Sequence, residues 1–256
     1  MVVAVRNLDA ASKLYESLGF TLTPLARHPF GTSNRLVQFK TSFIELVAVS
    51  QAELINETTD VDFSFGAYNR DFLTKREGMS MVAMKSTDWK LDRYEFQSAG
   101  LELMAPFSFK RMAKQPNGVE VEVGFDLTYL PRLGAPDAMF FTCCHRHAPE
   151  HFYKSDYQVH VNGAKAIQSV QIESSDVAGT GAFLSAIDAE QKLFNVIEAS
   201  GPNFERFAGF TVVVSNRSLL TAHLMERGLG FKENAKEQII LQDDICGVEI
   251  TFCEEV

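Results

Sequence analysis

An α+β fold of repeated βαβββ modules, paired into cup-shaped mixed sheets, is the fold class this sequence predicts. Three observations carry that expectation. One pattern recurs four times, beginning near Val2, Met79, Ile167 and Phe210: an apolar strand, a polar turn able to start a helix, an amphipathic helix, and a small or Gly-containing exit turn before another apolar run. After each helix the apolar residues change from helical spacing to alternation, the signature of half-buried strands. One helix covers only one face of a small sheet, so pairing two modules and curling eight strands into a cup is the way to shield the other face.

The elements follow in order. Val2 to Val5 reads as the first strand, Asn7 as a helix cap, and Leu8, Ala11, Tyr15 and Leu18 as one helical face ending at Gly19. Leu36 to Phe39 and Phe43 to Val49 complete the first module, and Ser50 to Ser64 is a connector rich in acids, Asn and Thr. In the second module Met79 to Met84 is a strand, Thr87 the expected cap, and Ala99-Gly100-Leu101 the helix exit. Val119 to Leu127, with apolar residues on one face and mostly acids on the other, and Ala138 to Cys144 are its later strands. The third copy, Ile167 to Ile172 with Ser175 as the expected cap, is shortened. The fourth has Phe210 to Val214, the cap Asn216, Leu220 and Leu224 on a helix, and strands at Gln238 to Leu241 and Val248 to Phe252. A second connector spans roughly 149–162. It divides the chain into an N-terminal pair of modules, 1–160, and a C-terminal pair of smaller ones, 161–256.

Composition narrows the function. At 256 residues and 46% hydrophobic, the chain can bury a substantial core. Twenty-one Phe against six Tyr and one Trp point to ring-rich interiors, most of them plain core. A net charge of −9 without a Lys/Arg block disfavours nucleic acid and anionic membranes. No run approaches the ~18–20 apolar residues of a membrane span, and no secretion signal precedes Arg6. Cys143, Cys144, Cys246 and Cys253 show no CxxC spacing, and free thiols fit a cytoplasmic location.

Val3-Ala4-Val5-Arg6-Asn7-Leu8-Asp9-Ala10-Ala11, closing at Leu18-Gly19-Phe20, resembles the opening unit of the vicinal oxygen chelate superfamily, which includes glyoxalase I and the extradiol dioxygenases. The segments His28 to Arg35, Phe65 to Phe72, His147-Ala148-Pro149-Glu150 and Asn162-Gly163-Ala164 are similar to its glyoxalase-like branch. The resemblance covers nearly the whole chain. It implies a divalent metal (Zn, Ni, Mn or Fe) held inside the cup by His and Glu side chains from paired modules, binding two substrate oxygens. Relatives commonly carry a metal-binding His ahead of the first strand. This sequence begins at Met1, directly at that strand, without such a residue.

The expected site residues are these. Alternation places Glu45 on the face of Phe43 and Val47, where a carboxylate is costly without a cation or strong donors. The competing position is a solvent-facing edge. Phe141, Cys143, His145 and His147 share a face if their strand continues, and the chain turning after Cys144 is the alternative. The resemblance implies Glu45, His147 and Glu150 as metal ligands. The segment His28 to Arg35 is too polar and too Gly/Pro-rich for a core strand. In it Gly31 permits close backbone approach, and His28, Thr32 and Asn34 offer donors and acceptors. With Phe141 they form the expected substrate-binding set.

Two functions follow. One is a metal-dependent lyase, isomerase or dioxygenase acting on a small oxygenated substrate. The other is metal-free binding or sequestration of a small molecule in the same Phe-lined cup. The N-terminal pair is expected to carry the function, and the C-terminal pair to serve structure or homodimer formation.

Overall fold

The structure, a computed structural model, describes residues 1–115, 118–132, 134–188, 193–201 and 204–255. The first module comprises β1 (Val2–Ala4), α1 (Leu8–Ser17), β2 (Ala26–Arg27), β3 (Thr32–Gln38) and β4 (Phe43–Val49). A helix α2 (Phe65–Lys75) links it to the second, β5 (Gly78–Ser86), α3 (Trp89–Ser98), β6 (Phe107–Lys114), β7 (Glu120–Leu130) and β8 (Met139–His145). A short helix α4 (Pro149–Phe152) precedes the rest of the chain. That part contains β9 (Ala164–Ser174), α5 (Val177–Ile187), β10 (Phe194–Glu198), β11 (Glu205–Val214), α6 (Arg217–Glu226), β12 (Phe231–Glu233), β13 (Ile239–Leu241) and β14 (Glu249–Glu254).

Among the described residues the strands form two mixed sheets. The first runs β2-β3-β4-β1-β5-β8-β7-β6 and the second β10-β9-β11-β14-β13-β12. In the first sheet β1 is parallel to β4, β5 is parallel to β8, and β1 and β5 meet antiparallel at the centre, so the modules are related as two halves. The edge strands β2 and β6 approach each other, which curls the sheet into a nearly closed cup. In the third copy, among the described residues, β10 alone follows the helix before β11, pairing in parallel with β9 as β4 does with β1. This is the expected shortening, and it leaves the second sheet with six strands rather than eight.

Alternation along β4 sorts its side chains as expected. Ile44, Leu46 and Ala48 enter a core shared with Leu8, Ala11, Tyr15 and Leu18 of the α1 segment, whereas Val47 joins the separate cluster lining the cup. The first core continues into the second sheet. Phe140 on β8 packs against Phe183, Phe194 and Phe207, with ring centroids 5.1, 5.6 and 5.1 Å apart. Arg132 pairs with Glu205, whose other oxygen accepts from Thr180 Oγ1 at 2.5 Å. At the end of α1, Gly19 adopts φ +92°, and a Cβ there would lie 2.8 Å from that of Asn162. The closeness lets Asn162 Nδ2 donate to Leu18 O at 2.9 Å while its Oδ1 accepts from Ala164 N, tying the passage into β9 to the first module.

Three expectations need correction. Helices α3 and α5 are capped by Asp88 and Asp176, not by the preceding Thr87 and Ser175. In each case the strand and its bend run one residue further, so the later carboxylate reaches the free backbone N–H groups. The segment His28 to Arg35 is not wholly a loop, since Thr32 to Arg35 belong to β3, with Thr32, Ser33 and Asn34 buried. Polar side chains are tolerated there because Thr32 and Asn34 bond His28 and Glu45, and Ser33 bonds Ser50, which offsets much of the cost of burying them. Phe65 to Phe72, quoted only as part of the resemblance, begins helix α2, capped by Ser64 Oγ accepting from Ala67 N at 3.1 Å.

Candidate functional site

The cup holds one polar group of side chains within a wall of rings. His28 stands in the turn before β3. Its backbone N–H donates to Thr32 O at 2.8 Å, and Gly31 makes the turn at φ +86°. A Cβ at Gly31 would lie 2.4 Å from Gln51 O, so no larger residue fits without moving the backbone that carries His28. The imidazole stacks on Phe30 with centroids 4.9 Å apart and receives the edges of Phe65 at 5.8 Å and Phe109 at 5.6 Å. Such aromatic pairs contribute about 0.5–1.5 kcal/mol each beyond their buried area.

Asn34 on β3 and Glu45 on β4 complete the group. Asn34 Nδ2 donates to Glu45 Oε1 at 2.5 Å and lies 3.3 Å from His28 Nε2. His28 Nε2 is 3.7 Å from the same carboxylate oxygen, and His28 Nδ1 is 2.8 Å from Thr32 Oγ1. With the Asn34 amide donating to both neighbours, Nε2 is the unprotonated imidazole nitrogen and Nδ1 carries the hydrogen. Asn34 Oδ1 and Arg111 Nε, both lining this cavity, are buried without a hydrogen-bond partner.

Burial sets the charges here. It holds the His28 pKa down at about 3, with the Arg111 guanidinium adding in the same direction, so the ring is neutral at ordinary pH. It raises the Glu45 carboxyl, an effect partly offset by the Asn34 hydrogen bond, then by the Met1 ammonium and by Arg111. The Cys143 thiol is pushed up by burial and then by Glu45, and stays protonated. Arg111 is itself lowered by burial but keeps its charge, as guanidinium groups do in proteins.

The expected residues are only partly brought together. His28, Asn34, Glu45 and Phe141 all line the cup, a cavity of about 50 Å³. Thr32 stands behind His28 and holds its ring. His145 ends β8, its ring 4.7 Å from Phe152 and 5.2 Å from Phe125, and burial holds its pKa down at about 4. His147 lies past the strand end, beside His151, and lines a cleft of about 790 Å³ between the two sheets that shares Phe43, Ala83 and Cys143 with the cup. Glu150 is exposed on α4.

The donors in the cup do not fit a catalytic divalent metal. Such a centre takes three protein ligands and keeps an open position. Among the described residues no three His, Cys, Asp or Glu side chains converge. Other inward positions hold Ala83, Phe141 and the protonated Cys143. Between the imidazole and the carboxylate, where a cation bound by both would sit, stands the Asn34 amide nitrogen.

Arg111 is the site residue that the sequence reading missed. It lies on β6, where half-buried and exposed side chains alternate and Arg111 falls in phase with Phe107 and Phe109. That period-two run, Phe107-Ser108-Phe109-Lys110-Arg111, was the available signal. A third cavity, of about 300 Å³, opens beside the cup and shares Asn34, Leu36, Arg111 and Phe152 with it.

Comparison with known proteins places this architecture. The glyoxalase-like domain family matches residues 1–187. No functionally curated protein matches the chain. Among solved structures, a hypothetical protein from Staphylococcus aureus is similar at 13% identity and TM-score 0.73, covering 99% of this chain and 97% of its own. A 4-hydroxymandelate synthase variant from Streptomyces coelicolor is similar at 10% identity and TM-score 0.62, covering 99% and 90%. A xylose isomerase-like TIM barrel/4-hydroxyphenylpyruvate dioxygenase fusion protein is similar at 9% identity and TM-score 0.58; the match covers 99% of this chain but 48% of that one. The family match spans most of the chain, whose paired βαβββ modules agree with it, and the chain belongs to the glyoxalase-like domain family.

Proposed function

We propose that this protein binds a small, largely apolar organic molecule carrying an oxygen-bearing group, and that it does so in the N-terminal cup without a metal. One observation carries the reading: the Asn34 amide bridges His28 and Glu45, leaving Asn34 Oδ1 and Arg111 Nε unpartnered in a wall of Phe rings. Buried polar atoms without partners cost about 1–3 kcal/mol each, and a ligand offering one donor and one acceptor removes that cost. The rings of Phe30, Phe65, Phe109 and Phe125 supply the apolar contact that binds the remainder. Four free thiols support placing the protein in the cytoplasm.

The test is a thermal-shift screen of small aromatic and aliphatic oxygenated fragments on chelator-treated protein, with elemental analysis of protein purified without chelator. The expected result is a set of fragments that raise Tm without metal and equally after Zn, Ni, Mn or Fe is added. Stoichiometric metal in the untreated protein, or binding that appears only on metal addition, overturns the reading in favour of a metal-dependent lyase, isomerase or dioxygenase.

A further inference from the structure

The protein's charge is distributed against its net sign at one place. The chain carries a formal −9. Yet the cavity of about 300 Å³ beside the cup is lined by Arg27, Arg111, Lys114 and Lys154, with Glu120 the one carboxylate among its described lining residues. Among the described residues none of these four cations lies within ion-pair distance of a carboxylate. Lys154 Nζ donates instead to the backbone oxygen of Glu150, and Arg111 Nη1 to that of Met112 at 3.3 Å. Cations left unpaired around one opening form a field that concentrates anions there.

This opening leads to the cup. Asn34 and Arg111 line both spaces, so a molecule entering from this side passes the guanidinium before it reaches the rings. Asn34 is 2% exposed and its Oδ1 is unpartnered; Arg111 Nε is likewise buried and unpartnered. The Arg111 guanidinium also lies over the Phe125 ring, 5.9 Å from its centroid. A planar charged fork at the threshold of an apolar hollow matches a carboxylate attached to an apolar body.

We infer that the ligand of the cup is a small organic carboxylate, entering through the basic opening, with its anionic group on Arg111 and its apolar body among the Phe rings. This rests on the binding function proposed above and adds the ligand's chemical class. A group able to donate to Asn34 Oδ1, such as a hydroxyl, completes the match.

The experiment uses matched probes, aryl acids against their primary amides: benzoate with benzamide, phenylacetate with phenylacetamide. Binding to the whole protein is read by saturation-transfer NMR and calorimetry. Acids are expected to bind at least about tenfold more tightly than amides, the scale of one charge-assisted contact. The acid affinity should fall as salt is raised from 50 to 300 mM. Arg111→Gln is expected to bring acid and amide to parity. Arg111→Lys, which keeps the charge and the volume, should retain the acid preference with reduced affinity. Ala83→Phe, filling the cup, should abolish binding of both probes. Amides that bind as well as acids, with no response to salt or to either Arg111 variant, overturn the carboxylate inference and leave the cup as a neutral-ligand site. Absence of binding by every probe at millimolar concentration, or binding that survives Ala83→Phe, overturns both this inference and the binding function.

Discussion

Replacing His28 with Phe tests whether the cup is as enclosed as its geometry indicates. The ring contacts to Phe30, Phe65 and Phe109 persist in kind, while the titrating group is removed. In the wild type, burial holds His28 at about 3 against an ordinary 6.5. Between those values the unfolded chain binds a proton that the folded protein refuses, so stability is present above pH 6.5 and declines as pH falls towards 3. Each pH unit in that window is worth about 1.4 kcal/mol, so the wild type loses about 3 kcal/mol through His28 between pH 7.5 and pH 4.5. Other groups, including His145 with its own depressed pKa, titrate in both proteins and cancel in the difference. The variant also leaves the Thr32 hydroxyl without its imidazole partner, a pH-independent cost of about 1–2 kcal/mol. His28→Phe should therefore be the less stable protein at pH 7.5 and match or exceed the wild type at pH 4.5. Urea denaturation followed by circular dichroism at four pH values measures the difference. A stability gap constant with pH would mean that His28 protonates as freely folded as unfolded, and the enclosed-cup argument would be refuted.

Two further outcomes are expected. Glu45→Gln keeps an acceptor for Asn34 Nδ2 and removes a carboxyl that burial has raised. The raised carboxyl favours folding at low pH and loses that contribution as pH rises through its folded pKa. The variant should thus be more stable than wild type by about 1 kcal/mol or more at pH 8, with the gap closing towards pH 4.5; a loss of stability at pH 8 contradicts the assignment. Phe140→Ala empties the fully buried ring that joins the two sheets and should cost about 3–5 kcal/mol in chemical denaturation; a cost below about 1 kcal/mol would show that the sheets do not depend on that contact.

What the sequence disclosed was mainly periodicity. Alternation along Phe43 to Val49 put Glu45 on the correct face, and the cap Asn7 was readable because it is the one side-chain acceptor directly before its helix, while Asn216, like Asp88 and Asp176, is the later member of a pair, with Ser215 before it. Where two candidates stand together, as in Thr87-Asp88 and Ser175-Asp176, the choice depends on where the strand ends, which is decided by its partner across the sheet. Polar β3 was legible only in part. Thr32 and Asn34 are acceptable inside a sheet because His28 across the turn and Glu45 on the neighbouring strand answer the Thr32 hydroxyl and the Asn34 amide nitrogen, contacts that the order of residues along the chain does not reveal. β6 was overlooked because Lys110, Arg111 and Lys114 hide its alternation behind charge. The separation of His147 from Glu45 depends on β8 stopping at His145, which a shared two-residue period does not reveal.

The placement of Arg111 on an edge strand has a consequence for how such a site changes through evolution. β6 is held by β7 alone in the first sheet, and the two run through a hairpin that pairs Arg111 with Val123. One residue gained or lost in that hairpin would turn Lys110 or Met112 inward in place of Arg111, exchanging the electrostatic character of the entrance while the central strands keep their places. Ligand preference in this architecture can therefore drift by a single-codon insertion at the rim, with the interior scaffold inherited intact.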